Sequence, residues 1–416
     1  MLQSKLFTKT RKTAPTDEVS KNAKLLTQGG FIHKEMAGVY SYLPLGLRVL
    51  NKIENIIREE MDAIGGQEIR MATLHPSEPW KQTGAWDSVD VLFKIKSRTE
   101  KDYALGQSEE EIITPIAGEF VQSYKDLPVA IYQIGQKYRD ELRAKSGIIR
   151  GREFGMKDMY SFHESQKDFE QFYEVVKKAY FRAYKRCGLT AKVTEASGGA
   201  FSQKISYEFM VLTDAGEDTI FYCDSCDYCI NAGIAKVKEG DKCSNCGKSK
   251  LKKAVASEVG NVFDLGDKYP RAFEFTYKGD DGSLKYPIVG CYGFGTTRLL
   301  GVIAEALSDE RGIIWPKEVA PFMVHLIDLS KEGEPAGAEA RKIYENLQKE
   351  GITVLYDERK GISAGEKFAD ADLIGIPYRA VISEKSVAAG GVEIKERGKK
   401  ETRVVDEKAL IKFLKK

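Results

Sequence analysis

The feature that most limits what this chain can fold into is the alternation that begins after Ala320-Pro321. Strand-like "FMVHLIDL", helix-like "AGAEARKIYENLQKEG", strand-like "ITVLYDER", helix-like "GEKFADADLIGI" and strand-like "YRAVIS" follow one another. Parallel strands cannot be joined by a tight turn, so strands separated by helices imply crossover connections and at least part of a parallel sheet. Residues 321–416 are therefore expected to form a separate α/β domain around a mixed sheet.

Residues 1–320 do not follow that rhythm. Segment 40–63 opens with "YSYLPLGLRVL" and runs on as a helix with Leu50, Ile53, Ile57 and Met61 on one apolar face. Gly65-Gly66 stops it, and "QEIRMATL" reads as a strand. Residues 103–123 and 129–163 mix short strands, turns and a helix, and residues 166–187 form a second amphipathic helix. Strand-like "YPIVGCYGFG" leads into helix-like "TTRLLGVIAEAL". No repeats or low-complexity tracts interrupt the chain.

One stretch concentrates charge. "RDELRAKSGIIRGREF", residues 139–154, holds four arginines and one lysine and closes on an aromatic ring, in a chain whose formal net charge is only +2. A polyanion partner must then be gripped locally, because no whole-molecule field attracts it. Residues two apart on a strand share a face, so Arg139 and Glu141 point one way. After a turn at Ser146-Gly147, so do Arg150, Arg152, Phe154, Met156, Asp158 and Tyr160, if the strand is unbroken. Arginine forks suit phosphate and carboxylate oxygens, and a planar ring suits a stacked base. A solvated hairpin with surface charges would show the same run.

Four of the seven cysteines form Cys223-x-x-Cys226 and Cys243-x-x-Cys246, separated by sixteen residues. That is zinc-ribbon spacing, and four thiolates could close a tetrahedral structural Zn²⁺ site in a loop with little core of its own. Cys229 is a fifth candidate ligand, and free thiols in a loop are the plain alternative. Cys187 and Cys291 read as packing residues, and Cys291, on the strand "YPIVGCYGFG", is also a candidate neighbour of the functional site. His33, His75 and His325 show no metal spacing and read as packing or surface residues, while His163 stays open. Cysteine pairs of this kind fit a reducing compartment. Together with the absence of any apolar run of about eighteen residues and of a secretory pattern at the start, they lead us to expect a cytoplasmic protein without membrane contact.

The segment 139–154 has the R-x-E, loop, R-x-x-x-F form of motif 2 in class II aminoacyl-tRNA synthetases, and "GCYGFGTTRLL" resembles their motif 3. The helix of 46–63 stands in motif 1 position. "GVYSYLPLGLRVLNKIENIIREEM", "QIGQKYRDELRAKSGIIRGREFGMKDMYSFH", "VGCYGFGTTRLLGVIAE", "WPKEVAPF" and "FADADLIGIPYRAVIS" are similar to the bacterial-type prolyl-tRNA synthetase family over nearly the whole chain. The resemblance implies an α+β catalytic domain with an antiparallel sheet over 1–320 and an anticodon-binding domain over 321–416. It also implies that the family's large editing insertion is missing, with the cysteine-bearing segment 223–253 in its place, so that mischarged alanine is not cleared in cis.

By that resemblance the chain activates proline with ATP and passes it to proline tRNA, as a homodimer. Arg139 would bridge the α-phosphate and the substrate carboxylate. Glu141 would read the adenine amino group, Phe154 would stack on the base, and Arg150 and Arg298 would hold the triphosphate. Gly293 and Gly295 would let the backbone approach the nucleotide. Mg²⁺ is expected on the phosphates, with ligands unassigned. Ser108 and Glu110 fall on the family's T-x-E positions around the cationic imino group, with Met156, Asp158 and Tyr160 lining the ring's slot. A solvated helix start is the alternative for "QSEEE". In the tail domain Asp357, Arg359, Glu393, Lys395 and Arg397 would face anticodon bases, or else form solvent-facing charge pairs.

This chain departs from the family's pattern in places. Gln107-Ser108-Glu109-Glu110-Glu111 replaces P-T-H-E-E, and Ala72 and Ala85 replace proline and arginine. Ser202-Gln203 and Tyr207 stand where a Gly-Gly pair and a histidine are common. Two rival readings share the architecture. A threonyl-type synthetase would need Cys and His ligands around the catalytic sheet, and a non-catalytic paralogue would be expected to have lost the ATP-clamping arginines.

Overall fold

The computed structural model describes residues 1–197 and 204–415. It divides into two compact units, residues 36–39 with 53–302, and residues 1–35, 40–52 and 303–416. Among the described residues no helix is long and apolar enough to cross a membrane.

In the first unit, nine strands form one sheet among the described residues. In chain order they are β1 (Gln67–Glu68), β2 (Val129–Tyr138), β3 (Glu153–His163), β4 (Lys192–Ser197), β5 (Ile205–Leu212), β6 (Asp218–Tyr222), β7 (Cys229–Asn231), β8 (Lys252–Gly266) and β9 (Ile288–Gly295). Their order across the sheet is β5-β4-β7-β6-β8-β9-β3-β2-β1. The central pairs β2/β3, β3/β9 and β8/β9 are antiparallel. The helix Gln166–Arg186 packs on this sheet through a stripe of Phe169, Tyr173, Val176, Tyr180 and Tyr184 at three- and four-residue spacing. The Tyr184 ring stacks on Phe294 of β9 with centroids 4.5 Å apart, and Tyr180 meets the same ring edge-on.

Two expectations for this unit change. "QEIRMATL" pairs in the sheet only at Gln67 and Glu68. Beyond Ile69 it leaves the ladder, and the Met71 amide donates to the Gln133 side chain (3.0 Å) instead of to a neighbouring strand. Strand β3 begins at Glu153, so Arg150 and Arg152 do not continue its face. Ser146 and Gly147 turn the chain with φ of 60° and 65°, and Lys145 pairs with Arg150 in an isolated bridge.

The second unit holds a five-stranded sheet. Its strands are β10 (Val324–Asp328), β11 (Val354–Asp357), β12 (Tyr378–Ile382), β13 (Val392–Glu396) and β14 (Thr402–Val405), in the order β11-β10-β12-β13-β14. The first three are mutually parallel and the last two antiparallel, a mixed sheet. Helices Pro335–Lys349 and Glu407–Leu414 bury Ala340, Ile343, Leu347, Leu410 and Leu414 against it. Compactness does not divide the chain at Ala320-Pro321. The Arg397 fork grips Asp309 (2.7 and 2.8 Å) and the Trp315 indole donates to the Ile374 carbonyl (2.9 Å), which ties residues 303–320 to the tail. The chain's first residues join it too, because the Met1 amine donates to the Tyr344 hydroxyl and the Val354 carbonyl.

Candidate active site

Arg139 lies one residue beyond β2, and its backbone N–H donates to the Arg152 carbonyl (2.8 Å). Its guanidinium sits over the Phe154 ring, 5.1 Å from the centroid, and reaches the Gln107 carbonyl at 3.4 Å. Nε is buried and has no partner among the described residues. Burial, and then the charge of Arg298, pull its pKa below the usual guanidinium value. A cavity of about 330 Å³ opens here, with Gln107, Glu111, Arg139, Glu141 and Tyr269 in its wall. Ala85 lines it as well, where an arginine was expected. An under-bonded guanidinium facing a cavity is suited to an anion.

The other arginines are already held. Arg150 donates to Glu217 (2.7 Å) and Glu141 (3.0 Å), so the carboxylate expected to read adenine now neutralises the cation expected to hold phosphate. Arg298, in the first turn of the helix Thr296–Ala306, donates to the carbonyls of Ile149 (2.8 Å) and Glu258 (2.9 Å), with the Glu258 carboxylate 3.6 Å away. Gly293 has a close neighbour within the protein. A Cβ there would stand 2.6 Å from the Asn261 Oδ1 that accepts the Gly293 N–H. Gly295 closes β9 and leads into the Arg298 helix.

"QSEEE" is buried throughout, which removes the solvated helix start: Ser108 is 7% exposed and Glu110 1%. Tyr160 anchors the loop. Its hydroxyl accepts the Glu109 N–H at 3.0 Å and lies 3.4 Å from the Ser108 hydroxyl. Glu110 Oε1 accepts from the Cys291 thiol (3.2 Å), while Oε2 is buried without a partner among the described residues. Cys291, expected to pack and to lie near the site, thus touches the proposed imino-group carboxylate. The unbroken register of β3 keeps Phe154, Met156, Asp158 and Tyr160 on one face, as the alternation implies.

Beneath this loop lies a charge network that sequence reasoning missed. Glu109 binds Lys137 (2.6 Å) and His75 (2.9 Å), and Lys137 also binds Asp158 (3.0 Å). Burial alone would raise the Glu109 pKa, but His75 and Lys137 hold it low. Burial lifts Asp158 to about 6 against the pull of Lys137. His75 is therefore neither surface nor simple packing. Lys137 was readable, since it shares parity with Arg139; the His75–Glu109 contact joins residues 34 apart and left no local pattern. Burial and the adjoining Glu110 push Glu111 up to about 8. His163 is buried between Asp168 (2.6 Å) and Ser161 (2.8 Å), a structural position.

The sulfurs of Cys223, Cys226, Cys243 and Cys246 all lie within 4.8 Å of one another. The Ser225 amide donates to Cys223 (3.3 Å), as in a loop folded around a metal-bound thiolate. Cys229 is elsewhere, 3.0 Å from the Thr194 hydroxyl in a separate apolar cluster, so the ligand choice falls on the two pairs. Tyr207 pairs with Val262 across β5 and β8; Ser202 and Gln203 lie outside the described residues.

In the second unit the proposed anticodon residues divide. Asp357 is fully buried, and its carboxylate binds Arg359 (2.7 and 2.8 Å) and Lys367 (3.6 Å). It has no free edge for a base, and it is a structural anchor. Arg359 also binds Asp370 (2.8 Å), and Arg397 is committed to Asp309. Lys395 instead lines a cavity of about 220 Å³ with Arg311, Arg379, Lys399 and Lys400. Glu393 neighbours it across β13, opposite Val381.

Comparison with known proteins bears on the family and the fold. The profile "tRNA synthetase class II core domain (G, H, P, S and T)" matches residues 93–307, and "Anticodon binding domain" matches residues 324–416. A proline–tRNA ligase of Geobacillus kaustophilus is 34% identical over 97% of this chain and 97% of its own length. One from Sulfurihydrogenibium is 34% identical over 100% of this chain and 99% of its own. The Geobacillus alignment runs over 552 positions against 416 residues here, so that relative carries a long stretch with no counterpart. Among solved structures, the Giardia lamblia prolyl-tRNA synthetase in complex with prolyl-adenylate superposes with a TM-score of 0.79 at 18% identity, covering 94% of this chain and 75% of that one. The Cryptosporidium parvum enzyme complexed with L-proline and AMP gives 0.78 at 16%, covering 95% and 74%. At those identities the structural likeness speaks for the fold.

Proposed function

This chain belongs to the proline–tRNA ligase family, and from that premise we propose how its own residues activate proline and charge tRNA. The carrying observation is a pair of buried, unsatisfied atoms of opposite character: Arg139 Nε and Glu110 Oε2. The two side chains are near enough for Glu110's charge to act on Arg139. Proline has complementary ends, a carboxylate for Arg139 and an imino cation for Glu110. Burying that cation needs a counter-charge.

A proline carboxylate oxygen attacks the α-phosphorus of ATP, and pyrophosphate departs. The terminal ribose hydroxyl of tRNA then attacks the prolyl carbonyl, and AMP leaves. The protein's share is orientation and charge. Arg139 aligns carboxylate and α-phosphate, Phe154 stacks on adenine, and Ser108 and Tyr160 fix the loop carrying Glu110. Met156 and Asp158 line the ring's slot. Glu141, Arg150 and Arg298 can serve the nucleotide only by exchanging part of their internal bonds for it.

Magnesium accompanies ATP in class II synthetases, and an acidic pair beside Arg298 fits it. Burial and the charge of Glu258 push Glu208 up to about 8, and Glu208 Oε2 is buried without a partner among the described residues. Two carboxylates plus phosphate oxygens suit this ion. Glu208 and Glu258 would hold it, where it neutralises phosphate charge. Cys223, Cys226, Cys243 and Cys246 would hold a structural zinc. Metal analysis should find about one zinc per chain, and none after Cys243→Ser/Cys246→Ser; a zinc-free parent would dismiss the ribbon.

Residues 1–320 are assigned to activation and 321–416 to the anticodon, with Lys395 and Glu393 facing bases and Asp357, Arg359 and Arg397 shaping the surface. The chain works as a cytoplasmic homodimer and does not clear alanyl-tRNA in cis. The test is ATP–pyrophosphate exchange with each of the twenty amino acids. Exchange should depend on proline, and exchange driven only by another amino acid rejects the assignment.

A further inference from the structure

We propose that the cysteine ribbon and the groove beside it form a docking surface for the acceptor arm of tRNA. This rests on the tRNA-charging reading above and extends it to a surface outside the cleft.

The first observation is charge. Between residues 236 and 253 stand seven lysines and only two acids, in a chain whose net charge is +2. All seven lysines are exposed, and among the described residues the one ion pair they make joins Lys252 to Asp224. Asp241 is occupied in accepting the Lys238 amide (2.9 Å). A four-thiolate zinc would add two negative charges and still leave this face positive.

The second observation is an unfavourable pairing. Lys242 and Lys250 stand directly opposite each other in an isolated antiparallel bridge. Like charges so placed destabilise a strand pair, and among the described residues no carboxylate forms an ion pair with either. A polyanion would turn that local cost into affinity.

The third is the adjoining groove. A depression of about 920 Å³ runs between the ribbon and the helix Gln166–Arg186, bordered by Lys177, Lys178, Lys192, Phe181 and Tyr228. Glu174, Glu195 and Asp227 also border it, so the groove alone is close to neutral, and its positive bias comes from the ribbon rim. Lys192 lies over the Tyr222 ring at 4.6 Å and Lys177 over Tyr207 at 4.7 Å. Lysines interleaved with rings suit a phosphate backbone with unstacked bases. Strand β8 connects this surface to the cleft. Lys252 opens it, and Glu258, the partner of Arg298, is six residues along, about 20 Å at a strand's rise per residue.

The test uses the full chain carrying Lys242→Ser/Lys248→Ser/Lys250→Ser, with the matching Lys→Arg protein as control. The probe is a labelled RNA hairpin reproducing only the acceptor arm of proline tRNA, which takes the anticodon domain out of the measurement. The serine protein should bind it at least tenfold more weakly. Its dependence of log affinity on log salt should be shallower by about 2 to 3, since each lost phosphate contact removes about 0.9. The arginine protein should bind as the parent does. Proline-dependent ATP–pyrophosphate exchange and zinc content should be unchanged in all three. Equal affinity and salt slope in serine variant and parent overturn the proposal. A parent without proline-dependent exchange overturns the activation reading instead, and a serine variant that loses zinc is replaced by Lys236→Ser/Lys253→Ser, judged by the same two outcomes.

Discussion

The cleft in the first unit and the anticodon region in the second are both rich in buried charge, but they treat it in opposite ways. In the second unit the proposed anticodon residues close on one another, Asp357 with Arg359 and Lys367 and Arg397 with Asp309, while Arg379 Nε beside them is left without a partner among the described residues. In the cleft, Arg139 Nε and Glu110 Oε2 are left open above a floor whose charges are ion-paired, Glu109 with Lys137 and His75, and Lys137 with Asp158. A closed pair contributes to architecture. An open buried group costs stability unless a ligand completes it, and the proposal made above places substrate on the open atoms of the cleft.

Substitutions can break this contrast. Lys137→Met opens the floor and leaves Glu109 and Asp158 without their shared cation, which should cost about 3–5 kcal/mol of stability in denaturant titration. In whatever folds, the Michaelis constant for proline should rise more than that for ATP; an unchanged unfolding midpoint would show that the floor is not a load on the fold. Arg139→Ala removes an open group. Exchange should fall by roughly 10²–10³ while the unfolding midpoint stays within that of the parent, and a fall in stability without a fall in rate would reverse the roles assigned here. Asp357→Asn loosens a closed pair in the other unit. It should lower stability by about 1.5–3 kcal/mol and leave proline-dependent exchange untouched; a matching loss of exchange would contradict the division.

What the sequence disclosed follows the same line. Strand β3 and its alternating face were legible because period two survives in Phe154, Met156, Asp158 and Tyr160. The tail domain was legible because its strands and helices alternate in chain order. The cluster of four cysteines was legible from spacing alone, but separating Cys229 from it needed its contact with Thr194. The partners of charged groups were not legible. His75 with Glu109, Glu217 with Arg150 and Glu258 with Arg298 join residues distant in sequence, and nothing local marks a carboxylate as already taken. For that reason Asp357 looked like a ligand-facing residue when its partners lie within the protein, and the internal partners of Arg150 and Gly293 were not foreseen.

The central claim is that proline and nucleotide complete the open atoms of the cleft. A structure of the full chain with a non-hydrolysable prolyl-adenylate analogue tests it most directly. The account predicts the imino nitrogen bonded to Glu110 Oε2, Arg139 bonded to the acyl-phosphate mimic through atoms now unpaired, and adenine against Phe154. An analogue bound elsewhere, or bound here with Glu110 Oε2 and Arg139 Nε still without partners, would contradict it.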